Sequence, residues 1–207
     1  MGDVVLRDPV TGAGAHVDAN QHQHVEAVNR DEKDQAARFG QKFNINTGDI
    51  TITTANKHSV LYLKNTGDDT MVINSLIYNL GATASGTGDV LIEVLRNPTA
   101  GAIITNAVAP SVGQGISANQ NFSSTNLLQG LIYKGANADT VISASDGVSI
   151  STRSAANTGR IVVSLGSLEI EKGASLAIDY TPPASNTSQK VQFALAMHVR
   201  TPKVAAV

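Results

Sequence analysis

From Phe43 onward, hydrophobic and polar residues alternate in short runs. In DITITT, Ile50 and Ile52 fall on one side of an extended chain, and Thr51 and Thr53 fall on the other. In VQFALAMHVR, the same period of two places five apolar residues on one face: Val191, Phe193, Leu195, Met197 and Val199. A period of two indicates a β-strand with one face in a core. The runs are also rich in Val, Ile, Thr and Tyr, which pleated strands favour.

Further runs of this kind are bounded by turn-forming residues. They are FNIN, SVLYLKN, TMVINSLIYNL, DVLIEVLRN, GAIITN, GVSIST, RIVVSL and SLAIDY. Asn-Thr-Gly recurs at the turns that end at Gly48, Gly67 and Gly159, where we expect glycine to supply a positive φ. Residues 107–144 are rich in Ser, Asn, Gln and Gly, and only GLIYK resembles a strand, so we predict a long loop excursion there. No long helix is predicted after Gly40.

The segment before residue 41 has a different pattern. It is polar, with isolated valines and no sustained period of two or of 3.6. We predict an extended N-terminal arm over residues 1–40 that folds against another surface or stays disordered. Within it, a short helix is expected over residues 32–39, with Asp31 as its N-cap and Gly40 as its stop.

These patterns together predict an all-β fold. We expect one antiparallel β-sandwich, jelly-roll-like, over residues 41–201, preceded by the arm and followed by a C-terminal tail at 202–207.

Composition and charge exclude several function classes. The 207 residues carry a net charge of -2 and only 15% charged side chains, so we expect neither nucleic acid nor an anionic membrane as a partner. The chain has no cysteine, which excludes disulfides, thiolate metal ligands and a cysteine nucleophile. No apolar run is long enough for a membrane helix, and the first residues do not resemble a signal peptide. The low charged fraction favours a surface that is partly covered by neighbours.

Three of the five histidines lie close together in AHVDANQHQHVEAV. His16, His22 and His24 could bind zinc together with Asp18 or Glu26. A structural zinc site needs four ligands that a closed scaffold holds in place. The flanking residues are polar and offer no such frame, so we predict no metal site.

No catalytic constellation stands out, and we expect no enzyme and no cofactor. The chain lacks a G-x-S-x-G nucleophile elbow. His58 begins a strand and His198 lies on the polar face of the last run, and we interpret both as ordinary surface histidines. The glycine-rich GATASGTGD lies between two strands, whereas a phosphate site needs a helix N-terminus.

Two carboxylate pairs were considered for glycoside chemistry. The pairs are Asp68 with Asp69 and Glu169 with Glu171. Glu169 and Glu171 alternate with apolar residues, which is typical of the solvent-exposed face of a strand. A carbohydrate-binding module stays open as an alternative, although the chain has no Trp. The aromatic residues that could contact a sugar are Tyr62, Tyr78, Phe122, Tyr133 and Tyr180.

Several segments follow one another in a characteristic order: DPVTGAGAHVD, GQKFNINTGDITITTANKHSVLYLKNTGDD and EVLRNPTAG, followed by the Ser/Asn-rich middle. This order resembles small virion structural proteins of tailed bacteriophages. The resemblance covers most of the chain, but its motifs are turns and strand starts, so it carries over no functional residue.

The resemblance implies a capsid decoration (cement) protein at the virion surface, assembled in the host cytoplasm; a neck, tail or fibre component is the alternative. The implied partners are the major capsid protein and further copies of this chain, with a trimer favoured by analogy. In the arm, spaced apolar residues are candidates for shallow pockets on the partner: Val4, Leu6, Val10, Val17, Val25 and Val28.

Overall fold

The computed structural model describes residues 4–7, 14–17, 23–26, 32–81, 89–99, 117–134, 148–156, 159–184 and 188–201. It divides the chain into two compact units, residues 1–35 and residues 36–207. The sequence analysis placed this boundary after residue 40 instead. Both units are dominated by antiparallel β-structure.

The first unit corrects the prediction of an extended arm. It contains β1 (Val4–Arg7), β2 (Gly14–Val17) and β3 (Gln23–Glu26), which pair in that order as an antiparallel three-stranded sheet. Four-residue strands are too short to produce a sustained period of two, which explains why the sequence analysis missed them.

The predicted short helix is confirmed as α1 (Glu32–Arg38). Acidic residues in its first turn and Arg38 in its last turn complement the helix dipole. Gly40 has φ +66°, and the Gln41 amide donates to the Ala36 carbonyl over 2.7 Å, as in a Schellman C-cap. A Cβ atom at Gly40 would also lie 2.0 Å from Ser124 Oγ, so both conformation and space require glycine here.

The second unit contains two antiparallel sheets. Its strands are β4 (Lys42–Asn46), β5 (Ile50–Ile52), β6 (His58–Asn65), β7 (Thr70–Leu80), β8 (Asp89–Arg96), β9 (Ser117–Asn119), β10 (Gly130–Lys134), β11 (Val148–Ala156), β12 (Gly159–Ile170), β13 (Ser175–Thr181) and β14 (Gln189–Arg200). One sheet has the order β12-β7-β14-β4-β9, and β5 also pairs with β14. The other sheet has the order β10-β6-β13-β8-β11. The predicted all-β class is confirmed.

Eight of these strands pair in a nested order. The first pairs with the last (β4 with β14), β6 pairs with β13, β7 with β12, and β8 with β11. Along the chain, β6, β7 and β8 alternate between the two sheets, and so do β12, β13 and β14. The first four of these strands therefore pair with the last four as a long antiparallel double strand, which crosses repeatedly from one sheet to the other.

Residues from both sheets build one hydrophobic core. The predicted inward face of β14 is confirmed, because Val191, Phe193, Leu195 and Met197 are buried and Val199 packs against the core. The Phe193 ring lies 5.8 Å from the Tyr180 ring, edge to face, which is a favoured aromatic geometry. The period of two in the sequence thus identified the core side of this strand.

The Asn-Thr-Gly turns use glycine in two ways. In both turns for which the structure describes all three residues, the asparagine Oδ1 accepts a hydrogen bond from the glycine amide: Asn46 from Gly48 and Asn65 from Gly67. Gly48 has φ +64° and Gly159 has φ +118°, as predicted. Gly67 does not have a positive φ, so that prediction is wrong. Gly67 is needed for space instead, because a Cβ atom there would lie 2.9 Å from the Gln129 Cβ.

The Ser/Asn-rich middle was predicted as a loop excursion with one strand. That strand is β10, and the structure adds the three-residue β9. The predicted strand GAIITN and much of the predicted excursion lie outside the described residues. No helix follows α1 in the part of the chain that the structure describes.

Candidate functional site

Four of the six predicted partner-binding residues lie in the three-stranded sheet. Val4 and Leu6 belong to β1, Val17 to β2 and Val25 to β3, whereas Val10 and Val28 lie outside the described residues. The register pairs Val4 with Val17, and it pairs Ala15 with both Leu6 and Val25. Because directly paired residues share a face and alternate residues share a face, all four predicted residues belong to one face.

The opposite face of this sheet carries two of the three clustered histidines. His16 pairs directly with His24 across β2 and β3, and Glu26 follows two residues after His24. His22 and Asp18 lie outside the described residues. Among the described residues, no group of three His, Cys, Asp or Glu side chains is arranged to hold a metal ion.

The two histidines of the second unit are buried, which corrects their interpretation as surface residues. His58 is 5% exposed and His198 is 2% exposed. Thr54 Oγ1 lies 3.0 Å from His58 Nε2, and Asn74 Nδ2 lies 3.1 Å from His198 Nδ1. Burial lowers the pKa of His58, which favours the neutral ring, and a backbone hydrogen bond with Thr54 opposes this effect only in part. Both rings contact a neutral polar group of their own unit.

A partly buried ionic cluster joins β6, β13 and β8. Asp179 is fully buried; it accepts a 2.5 Å hydrogen bond from Ser59 Oγ and lies 3.5 Å from Lys57 Nζ. Lys57 also contacts Glu93 at 2.5 Å. The strands bring these groups together because Asp179 pairs with Ser59 of β6 and with Glu93 of β8. A carboxylate in the apolar run SLAIDYT was the one sequence signal for this cluster, and the sequence analysis did not use it.

The electrostatics of this cluster favour structure over catalysis. Burial lowers the pKa of Lys57, but hydrogen bonds and charge from Glu93 and Asp179 outweigh that effect and raise it overall. The raised pKa of Lys57 favours its charged form. The Ser59 hydroxyl donates to Asp179 rather than to a histidine. Lys57 thus offsets part of the charge of the two carboxylates, and Ser59 donates a hydrogen bond to Asp179.

The carboxylate pairs considered for glycoside chemistry meet basic side chains. Asp68 contacts Lys172 at 2.6 Å, and the hydrogen bond and charge of this lysine lower the pKa of Asp68. Glu169 contacts Arg200 at 2.7 Å, and Glu171 is exposed. In each pair, one carboxylate is thus engaged by a cation.

A cleft of about 790 Å³ opens beside the loop that follows β9. Its lining is largely uncharged and polar, including Thr66, Asn126 and Gln129. The same loop caps α1: Asn121 Nδ2 donates to the Arg38 carbonyl and Asn126 Nδ2 to the Phe39 carbonyl, each over 3.0 Å. The asparagines of the middle segment thus hold the end of the helix, and the cleft beside them has room for a small ligand.

The aromatic residues do not form a sugar-stacking platform. The tyrosines Tyr62, Tyr78, Tyr133 and Tyr180 are all buried, and only Phe122 among the predicted aromatics is exposed. Tyr62 stacks on Tyr133 with ring centres 5.8 Å apart. The tyrosines serve packing within the domain.

Exposed apolar side chains lie on the strands at one side of both sheets. In the part of the chain that the structure describes, β11 is an edge strand of one sheet and β12 is an edge strand of the other. Val148 and Ile150 on β11 are exposed, as are Ile161 and Val162 on β12. The sequence analysis did not identify this surface, because the alternation of RIVVSL does not reveal which strand lies at an edge.

Comparisons with known proteins place the chain in no family. No family model matches the sequence, and no curated protein matches it. Among the described helices, none has the length and apolar character needed to span a membrane.

Proposed function

We propose that this protein is a bacteriophage virion protein that decorates and cements the capsid, and that its second unit is a jelly roll. The nested pairing of eight strands in two sheets carries the proposal. In a jelly roll, a long antiparallel double strand wraps into two sheets, and viral capsid domains use this fold repeatedly. A fold alone does not assign a function. The resemblance of the turn segments to phage virion proteins supplies the second support.

The proposed mechanism is the bridging of neighbouring major capsid subunits. The first unit contacts the capsid through the face that carries Val4, Leu6, Val17 and Val25. Burying one such side chain contributes about 1.5–3 kcal/mol. β2 pairs with both β1 and β3, whereas β1 and β3 each pair on one side only among the described strands. Side-chain burial on this face then carries the contact, and the outer edges of β1 and β3 can add backbone pairing with capsid strands.

The composition of purified particles tests this role. On a gel of purified virions, a decoration protein appears in a copy number comparable to that of the major capsid protein. A neck, tail or fibre component appears at a small fraction of that amount, and this result would move the protein to the alternative role. Absence from the particles would reject both roles.

Variants of the first unit test the contact face. Deleting residues 2–31 leaves α1 complete and should weaken binding to undecorated particles by orders of magnitude. Val17→Ser with Val25→Ser should give a smaller loss in the same direction. The matched control, His16→Ser with His24→Ser, changes the same two strands on the other face and should bind like the wild type. Equal binding by the deleted chain and the full chain would exclude this mechanism.

A further inference from the structure

Among the described strands of the second unit, β12 forms the longest open edge. The other edge strands in the described part of the chain are β9, β10 and β11. β9 has three residues, β10 has five, and β11 has an irregular register near its start. β12 has twelve residues, and its residues 159–164 pair with β7 without interruption. Such an edge presents a row of backbone N–H and C=O groups that another strand can pair with.

The two halves of β12 differ in how well they are protected from such pairing. In the second half, residues 165–167 bulge out of register, and both Gly166 and Ser167 have φ +64°. Bulges and charges are common ways in which proteins block edge pairing, and Glu169 adds a charge in this half. The first half has a regular register and only one charged residue, Arg160.

Apolar side chains are exposed along this first half. Val162 is 59% exposed and Ile161 is 37% exposed, although they lie on opposite faces of the strand. The edge therefore combines backbone groups open to pairing with apolar side chains on both sides. This combination is typical of a strand that meets another strand.

We propose that a second copy of this chain pairs with residues 160–164 of β12, antiparallel, around a two-fold axis at Val162. A two-fold contact uses the same patch on both copies, so the patch must complement itself. In this register Val162 faces Val162 of the second copy, Ile161 faces its Val163, and Arg160 faces its Ser164. The contact ends on each side before the bulge begins.

Charge is compatible with this register. The two Arg160 side chains are four strand positions apart, about 13 Å at ~3.3 Å per residue, which exceeds the Debye length at physiological salt. No like charges face each other directly. The contact joins the sheets of two copies into one continuous sheet, and it does not depend on the proposed virion role.

The absence of cysteine makes a crosslinking test specific. At the two-fold axis, residue 162 of one copy faces residue 162 of the other, with Cα atoms about 4.5–5.5 Å apart, within the range of a disulfide. Mild oxidation of Val162→Cys should therefore give a covalent dimer on a non-reducing gel. Leu131→Cys, at an exposed position on the edge strand β10, should stay monomeric on the same gel. A monomeric Val162→Cys would overturn the proposal.

Light scattering of the full chain gives the second measurement. The wild type should have the mass of two 21.5 kDa chains. Val162→Lys should raise the dissociation constant roughly 100-fold or more, because two lysines would face each other at the axis. Leu131→Lys should leave the mass unchanged, and circular dichroism melts of both variants check folding. A wild-type monomer, or a trimer that Val162→Lys leaves intact, would overturn the two-fold contact without affecting the particle gel.

Discussion

β14 and β12 are both twelve-residue strands of the same sheet, yet they lie in very different surroundings. β14 lies between β7 and β4, and its alternate residues are buried from Gln189 to Met197. β12 pairs with β7 on one side only, and its first four residues are exposed. Both contain alternating apolar residues. Periodicity therefore identifies a strand, whereas the number of neighbouring strands determines how much of it is buried.

The largest expected effect contrasts the two strands directly. Phe193→Ala on β14 removes a fully buried ring that packs against the Tyr78 and Tyr180 rings, and it should lower the free energy of unfolding by about 3–5 kcal/mol. Val162→Ala on β12 should change it by less than about 0.5 kcal/mol. Urea unfolding at low protein concentration measures both. Similar losses at the two positions would show that β12 is covered in solution.

A second contrast concerns ion pairs in the interior and at the edge. Asp179→Asn removes the charge from a fully buried carboxylate that binds Ser59 and Lys57, and it should cost about 1.5–3 kcal/mol. Glu169→Gln breaks the partly exposed pair between β12 and Arg200, and it should cost about 0–1 kcal/mol. Thermal melts of the two variants at the same pH provide the measurement. A larger loss of stability for Glu169→Gln than for Asp179→Asn would contradict this expectation.

The third prediction concerns pH. The interior strand β6 carries His58, whose pKa burial lowers below its ordinary value of 6.5, whereas β12 carries no histidine. The unfolded chain then binds the proton at a higher pH than the folded chain does. Stability is therefore lost as pH falls below about 6.5, and the loss levels off below the folded pKa. His58→Gln should reduce the difference between urea midpoints at pH 7.5 and pH 5.5. An unchanged difference would assign the acid sensitivity to another group.

The smallest expected effect lies in the bulge of β12. Ser167 has φ +64°, which is unfavourable for a residue with a side chain. Ser167→Gly removes this strain but gives the unfolded chain more conformational entropy, so it should stabilise the fold by up to about 0.5 kcal/mol. Gly166→Ala should have the opposite sign and cost about 1 kcal/mol. Nothing lies within 4 Å of a Cβ atom at Gly166, so its loss would reflect the backbone alone. Calorimetric melts can detect both changes, and changes of equal sign would exclude this explanation.

The sequence predicted the features that depend on local pattern. The strands around Ile50 and Phe193 follow from a period of two, and the end of α1 follows from Gly40. The reason for glycine at position 67 did not follow, because the space there is limited by Gln129, which is distant in sequence. Likewise, the burial of His58 depends on what packs over it, and its neighbours in sequence do not reveal this.

The candidate surfaces were harder to predict than the strands. Val4 and Val17 were identified as apolar residues in a polar segment, but their pairing in one sheet depends on a register that three four-residue strands do not specify on their own. Asp179 and Glu93 come together because β13 lies beside β8, a non-local arrangement. The open edge of β12 likewise follows only from the strand order of the whole sheet.

The nested pairing also has a consequence for how the chain folds as it is made. β14 is the last described strand along the chain, yet it lies between β4 and β7 and joins them into one sheet. Contacts so distant in sequence must wait for long loops to close, and such folds form in milliseconds to seconds rather than microseconds. During synthesis, β4 and β7 emerge from the ribosome long before the strand that joins them. The sheet therefore completes only after residues 189–200 have been translated, so a prematurely terminated chain cannot assemble its core.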